Sequence, residues 1–240
     1  MSNMQITKNT RIFIHIPKNG GMSIRKSPFL KDRIIPASPQ LHKSPQYSKS
    51  VLQTMESIGD HHGYEHARWR DLNPLYTSQL KSFAIVRNPW DRVVSRYFFA
   101  KKVIEVEKKE PKGKHAIESF EAFLEERHIW GNKRYMWHRA IRGWFPSYDY
   151  VTDNDGKIQA DILRFENYND DVCAYFKIPE MSRARNVTAL NPGTYKDVYT
   201  NKTRQIVADW YAKDIETFGY DYDTGPTKNC WAINNKDRKR

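Results

Sequence analysis

Cysteine is scarce: Cys173 and Cys230 are the only two in 240 residues. A disulfide-built scaffold is thereby excluded. No apolar run approaches the ~18–20 residues that cross a bilayer, so no membrane span is expected. Met1 to Thr10 is polar and lacks the hydrophobic stretch of a secretory signal. The expected compartment is cytoplasmic, where the sequons at Asn186 and Asn201 carry no meaning. Apolar residues are also few, at 39% of the chain, against ~45–50% (Gly included) in ordinary globular domains. Internal repeats are absent.

Aromatic residues offset the apolar deficit. The chain holds 7 Trp, 14 Tyr and 11 Phe, or 13%. Each ring buries ~150–250 Å², which supports a packed core and excludes global disorder. Forty Lys and Arg against 28 Asp and Glu give a net charge of +12. Such a surface attracts anions: nucleic acid, anionic lipid, or phosphorylated and sulfated ligands.

Buried-type strands alternate with helices along the chain. Arg11 to Ile16 is a β-branched run that ends at Pro17 and Gly20-Gly21. Residues 27–50, with Pro28, Pro36, Pro39 and Pro45, read as a surface loop. A helix is expected over 49–58. Ser82 to Val86 is a second strand, and Asn88-Pro89 then suits the start of a helix reaching about Lys102. Further helices are expected over 117–127, 135–144, 166–177 and 201–218. Strands are expected over 148–151 and 161–165, with a turn at Asp153-Asn154-Asp155-Gly156 between them. This alternation argues for one α/β domain with a mainly parallel sheet flanked by helices.

Two segments carry chemistry. In His15-Ile-Pro17-Lys18-Asn19-Gly20-Gly21-Met22-Ser23, glycines let backbone amides approach an anion. Lys18 adds a charge and Ser23 a hydroxyl. Lys18 precedes the glycines, whereas in a Walker A loop the Lys follows them, which disfavours ATP hydrolysis. In Arg87-Asn-Pro-Trp-Asp-Arg92-Val-Val-Ser95, Ser95 lies about two helical turns past the cap. Arg87, Arg92 and Ser95 together form a candidate grip on one phosphate. Alone, each segment also reads as an ordinary turn or a capped helix. Together, on one edge of a parallel sheet, they suggest a nucleotide phosphorylated at two positions.

This pair of motifs resembles the two cofactor motifs of sulfotransferases. The likeness is closest to the carbohydrate-type group, which includes heparan sulfate 2-O- and chondroitin sulfotransferases and short bacterial relatives. It continues through 161–172, 185–200 and 208–222. The resemblance implies a P-loop-like sulfotransferase domain over 1–226, followed by a basic tail over 227–240. It implies 3′-phosphoadenosine 5′-phosphosulfate (PAPS) as donor, no metal, and a carbohydrate or glycoconjugate acceptor. It assigns Pro17, Lys18, Asn19, Gly20, Gly21, Met22 and Ser23 to the 5′-phosphosulfate loop, with Lys18 at the transferring group. Arg87 and Ser95 would hold the 3′-phosphate, and Asn186 and Thr188 would belong to a later closing loop. The usual loop has Thr at the places of Asn19 and Met22, so weaker cofactor binding is expected. For the general base the resemblance favours His66, with His62, His61 and Glu65 as alternatives; Glu56 is a further carboxylate nearby.

His15, by strand alternation, is expected to be structural. Basic residues with Trp130, Trp137 and Trp144 could line a groove for a glycan; the reading preferred is a solvated basic surface over core tryptophans. Two other readings stand beside sulfuryl transfer: a small-molecule kinase, and a non-catalytic nucleotide- or nucleic-acid-binding protein. No nucleic-acid motif is present to support specific recognition.

Overall fold

A computed structural model of the chain describes residues 7, 9–46, 49–50, 53, 66–106, 117–130, 144–181 and 194–224. Four strands build the sheet: β1 (Arg11–Ile14), β2 (Ile34–Pro36), β3 (Ser82–Val86) and β4 (Ala160–Arg164). Their order is β2-β1-β3-β4, and every pairing is parallel. Strand alternation sorts the core into two faces. Ile12, Ile14, Ala84, Val86 and Ile162 pack on one side. Phe13, Phe83, Ile85 and Leu163 pack on the other. Strands covered on both faces need nearly continuous apolar sequence, which is the pattern these segments carry.

Helices cover both faces. These are α1 (Gly21–Arg25), α2 (Pro74–Thr77), α3 (Pro89–Lys101), α4 (Phe120–Trp130), α5 (Ser147–Val151), α6 (Tyr168–Phe176), α7 (Asn201–Trp210) and α8 (Ala212–Phe218). Ile24 of α1 and Val172 and Phe176 of α6 pack on the Phe13 face. Tyr150 and Val151 of α5 and Phe218 of α8 pack on the Ile14 face. α3 starts as the sequence predicts, with Asn88 Oδ1 accepting from the Trp90 and Asp91 amides and Pro89 in the first turn. Its Trp90, Val93, Val94 and Tyr97 form a third cluster with Phe123, Leu124 and Val207 from α4 and α7. The result is the α/β, parallel-sheet architecture expected from the sequence.

Three details differ from the expectation. Residues 27–50 are not wholly a surface loop, because they supply the edge strand β2 and bury Leu30, Ala37 and Leu41. A three-residue strand is too short to show periodicity, and Pro36 is tolerated because the strand is at the edge. Residues 148–151 are helical, not extended. The Asp214 carboxylate accepts from the Ser147 and Tyr148 amides at 2.8 and 2.7 Å and so caps α5 from a distant element. That tertiary cap overrides the β-type composition of the segment. The 201–218 helix is broken at Tyr211 into α7 and α8. Trp144 is a core tryptophan, as preferred from the sequence: it is fully buried in the third cluster. The expected helices at 49–58 and 135–144, Trp137 and the tail lie mostly or wholly outside the described residues. Among the described residues, no helix is long and apolar enough to cross a membrane.

Candidate active site

β1 and β3 are the central strands, and the chain leaves them toward opposite sides of the sheet. Ligands of parallel sheets bind in the crevice at such a switch point, outside the carboxyl ends of the strands. The Lys18 loop follows β1 and Arg87 follows β3, so the fold brings both predicted grips to that crevice.

The loop is held by its carbonyl oxygens. Arg92 Nε donates to Pro17 O at 3.1 Å, Arg87 Nη1 to Lys18 O at 2.8 Å, and the Tyr168 hydroxyl to Gly20 O at 3.1 Å. Asn19 is buried and donates from Nδ2 to Ile85 O at 2.7 Å, pinning the loop to β3. The φ angle is positive at Lys18 (69°) and Gly20 (77°) but not at Asn19 between them. Alternation of this kind folds successive amides into an anion-binding concavity. A non-glycine residue in the left-handed region costs about 1–2 kcal/mol, so Lys18 is held there by its surroundings. The glycines are required. A Cβ on Gly20 would lie 2.7 Å from the Tyr168 ring, and one on Gly21 would lie 2.0 Å from His15 Nε2. Ser23 is buried behind the loop, and Met22 is half-buried.

α3 lines the second side of the crevice. Asp91, Ser95 and Phe99 recur every four residues and share one helical face. Asp91 accepts from Arg87 Nε and Nη2 at 2.7 and 2.8 Å. Phe99 lies under the Lys18 ammonium, 4.1 Å from Nζ to the ring centroid. Ser95 therefore stands between the two cations. The first amides of α3 are taken by Asn88, and the Asn88 amide itself donates to Glu166 Oε1 at 2.6 Å. Side chains, not the α3 terminus, are what this side offers an anion. Glu166 is exposed overall, but its carboxylate turns inward, and desolvation raises its pKa against those hydrogen bonds.

Arg92 is not part of the grip. It is buried, donates to Pro17 O and to Phe145 O at 2.9 Å, and supports the crevice from beneath. An arginine three residues before Ser95 was expected to share its face, but the core has claimed it.

His66 stands buried beside the residue that follows β1. Its Nδ1 lies 2.7 Å from the His15 carbonyl oxygen. A carbonyl only accepts, so Nδ1 carries the proton and Nε2 keeps its lone pair in the neutral ring. That is the tautomer a general base needs. The His66 ring packs 4.3 Å from the His15 ring, which stacks in turn on Phe13 and abuts Gly21. His15 is thus structural, as alternation predicts. His61, His62, Glu65, Glu56, Asn186 and Thr188 lie outside the described residues.

Sequence reasoning missed Phe99, Asp91, Phe165 and Tyr168 as parts of the crevice. The Phe165 ring lies 4.1 Å from the Arg87 guanidinium carbon and also backs Gly20. The repeat of Asp91, Ser95 and Phe99 at four-residue spacing was the available signal for the first two. Phe165 and Tyr168 stand at and just past the end of β4, at the same sheet edge.

A family model described as "Sulfotransferase family" matches residues 7–221. The chain belongs to the sulfotransferase family. The match covers the sheet, the Lys18 loop, α3 and both C-terminal helices of this sulfotransferase. No individually curated protein matches the chain. Family membership establishes a transferase of sulfuryl groups in general, and both grips and His66 fall inside the matched span.

Proposed function

We propose that this sulfotransferase moves the sulfuryl group of PAPS to a hydroxyl of a carbohydrate or glycoconjugate acceptor. The observation that carries the reading is the meeting of the Lys18 loop, the Arg87 fork and His66 at one switch-point crevice. The donor set fits a doubly phosphorylated nucleotide. Gly20 and Gly21 let the Tyr168 and His15 rings pack directly against the loop backbone, and Arg87 retains donors beyond those it uses within the protein. PAPS, when bound, supplies an activated sulfuryl group on a phosphate leaving group.

In this reading Pro17 to Ser23 hold the 5′-phosphosulfate, and Arg87 and Ser95 hold the 3′-phosphate. Asn186 and Thr188 belong to the loop that closes over the nucleotide. The Lys18 ammonium stabilises charge gathering on the bridging oxygen. His66 Nε2 would take the proton of the acceptor hydroxyl as that oxygen bonds to the sulfur and the bond from sulfur to the phosphate oxygen breaks. The choice of His66 over His61, His62 and Glu65 rests on the resemblance, and its tautomer suits the role. The carbohydrate class rests on the likeness of the two motifs to carbohydrate-type enzymes and on the +12 charge.

Calorimetric titration with adenosine 3′,5′-bisphosphate, ADP and ATP in the absence of Mg²⁺ tests the donor. The bisphosphate is expected to bind most tightly. Equal or tighter binding of ATP overturns the reading in favour of a kinase.

A further inference from the structure

The Arg87 guanidinium is constrained on three sides. Nε and Nη2 bind the Asp91 carboxylate at 2.7 and 2.8 Å. Nη1 donates to the Lys18 carbonyl at 2.8 Å, and one face rests on Phe165 at 4.1 Å. Arginine has five N–H donors, so these three bonds leave two for a ligand. The same planar group therefore faces an anion and clasps the loop.

The bond to Lys18 falls at a telling place. Lys18 is the non-glycine residue with φ of 69°, at the entrance to the glycine turn. Left-handed backbone at such a residue persists only where neighbours over-determine it. Arg92 fixes the carbonyl before Lys18, and Tyr168 fixes that of Gly20. Arg87 supplies the middle clasp. Asp91, one helical turn further along, keeps the fork from turning away.

We propose that Arg87 is a positioning residue for the Lys18–Ser23 loop as well as a phosphate ligand, so that the two phosphate subsites are energetically coupled. The inference rests on the nucleotide reading above. Its consequence is distinctive: loss of Arg87 weakens binding of a nucleotide that has no 3′-phosphate at all. A residue that only grips the 3′-phosphate leaves such a ligand untouched.

The test is calorimetry with adenosine 3′,5′-bisphosphate and with AMP on wild type, Arg87→Ala and Arg87→Lys, each checked by thermal melting to be folded. Wild type is expected to prefer the bisphosphate by about 10–100-fold. Arg87→Ala is expected to abolish that preference and also to weaken AMP about 10-fold. Arg87→Lys keeps the charge but not the fork that spans Asp91 and Lys18 at once. It is expected to regain part of the preference while AMP stays weakened. The ligand-free amide resonances of Gly20 and Gly21 should shift in both variants. Unchanged AMP affinity in both variants overturns the coupling and leaves the nucleotide reading intact. A wild type that shows no preference for the bisphosphate overturns the reading, and the coupling with it.

Discussion

His66 donates from Nδ1 to the carbonyl oxygen of His15, at 2.7 Å, where the chain leaves β1 for the Lys18 loop. One backbone carbonyl thus fixes the imidazole's tautomer and ties it to the start of the Lys18 loop. His66→Ala is expected to lower turnover by about 10²–10⁴-fold while bisphosphate affinity stays within a few-fold of wild type. Single-turnover kinetics beside calorimetry check this. Unchanged turnover would move the base to His62, His61 or Glu65.

Lys18 and Phe99 form a cation–π pair at 4.1 Å. Lys18→Ala is expected to abolish transfer. Phe99→Leu keeps bulk but removes the ring's negative face, worth about 0.5–2 kcal/mol in such a pair. Turnover is expected to fall about 3–30-fold, with KM for the donor little changed. A change confined to KM would show that Phe99 serves binding and not the placement of the ammonium.

Gly21 rests against the His15 ring, with no room for a methyl group. Gly21→Ala is expected to destabilise the protein by about 1–3 kcal/mol and to weaken the bisphosphate. Adding His15→Ala removes the obstructing ring and should restore part of the lost stability. Urea melts of the two single variants and the double variant measure the coupling.

Arg92 sits between the Pro17 and Phe145 carbonyls and adds favourable charge beside Asp214. Arg92→Met keeps much of the volume and leaves these buried oxygens without their donor. Stability is expected to fall by about 3–5 kcal/mol. A variant as stable as wild type would place Arg92 in ligand binding, as its sequence position first suggests.

Burial raises the Asp214 carboxyl to about 6, against the lowering by the Arg92 charge and the Tyr148 and Ser147 amides. Between about pH 4 and pH 6 the folded state keeps a proton that the unfolded chain has released. The folded state binds more protons, so this group's contribution to stability falls as pH rises through that window. Relative to Asp214→Asn, wild type is expected to lose up to about 3 kcal/mol across it. Parallel stability–pH curves for the two proteins would contradict the shift.

The parallel sheet and the two turns at its carboxyl edge are legible in the sequence because each depends on local pattern. Buried strands need unbroken apolar runs, and the turns need Gly20, Gly21, Asn88 and Pro89 at fixed places. What the sequence hides is set by distant partners. Asp214 turns 147–151 into a helix, and the core draws Arg92 away from Ser95. β2 exists only because β1 offers it an edge. Asn19 looks like a lost ligand hydroxyl, yet its side chain is a tether to β3. His66 is singled out by resemblance, and only the fold supplies the carbonyl that selects its tautomer.

Asp91, Ser95 and Phe99 make α3 a ruler. Each four-residue step advances about 6 Å along the axis, so the helix pitch sets the gauge between the Arg87 fork and the Lys18 ammonium. One residue inserted between Asp91 and Phe99 would swing one end of the scale about 100° around the helix. Variation in length is therefore forbidden to this stretch and left to the segments that join it to the rest of the chain.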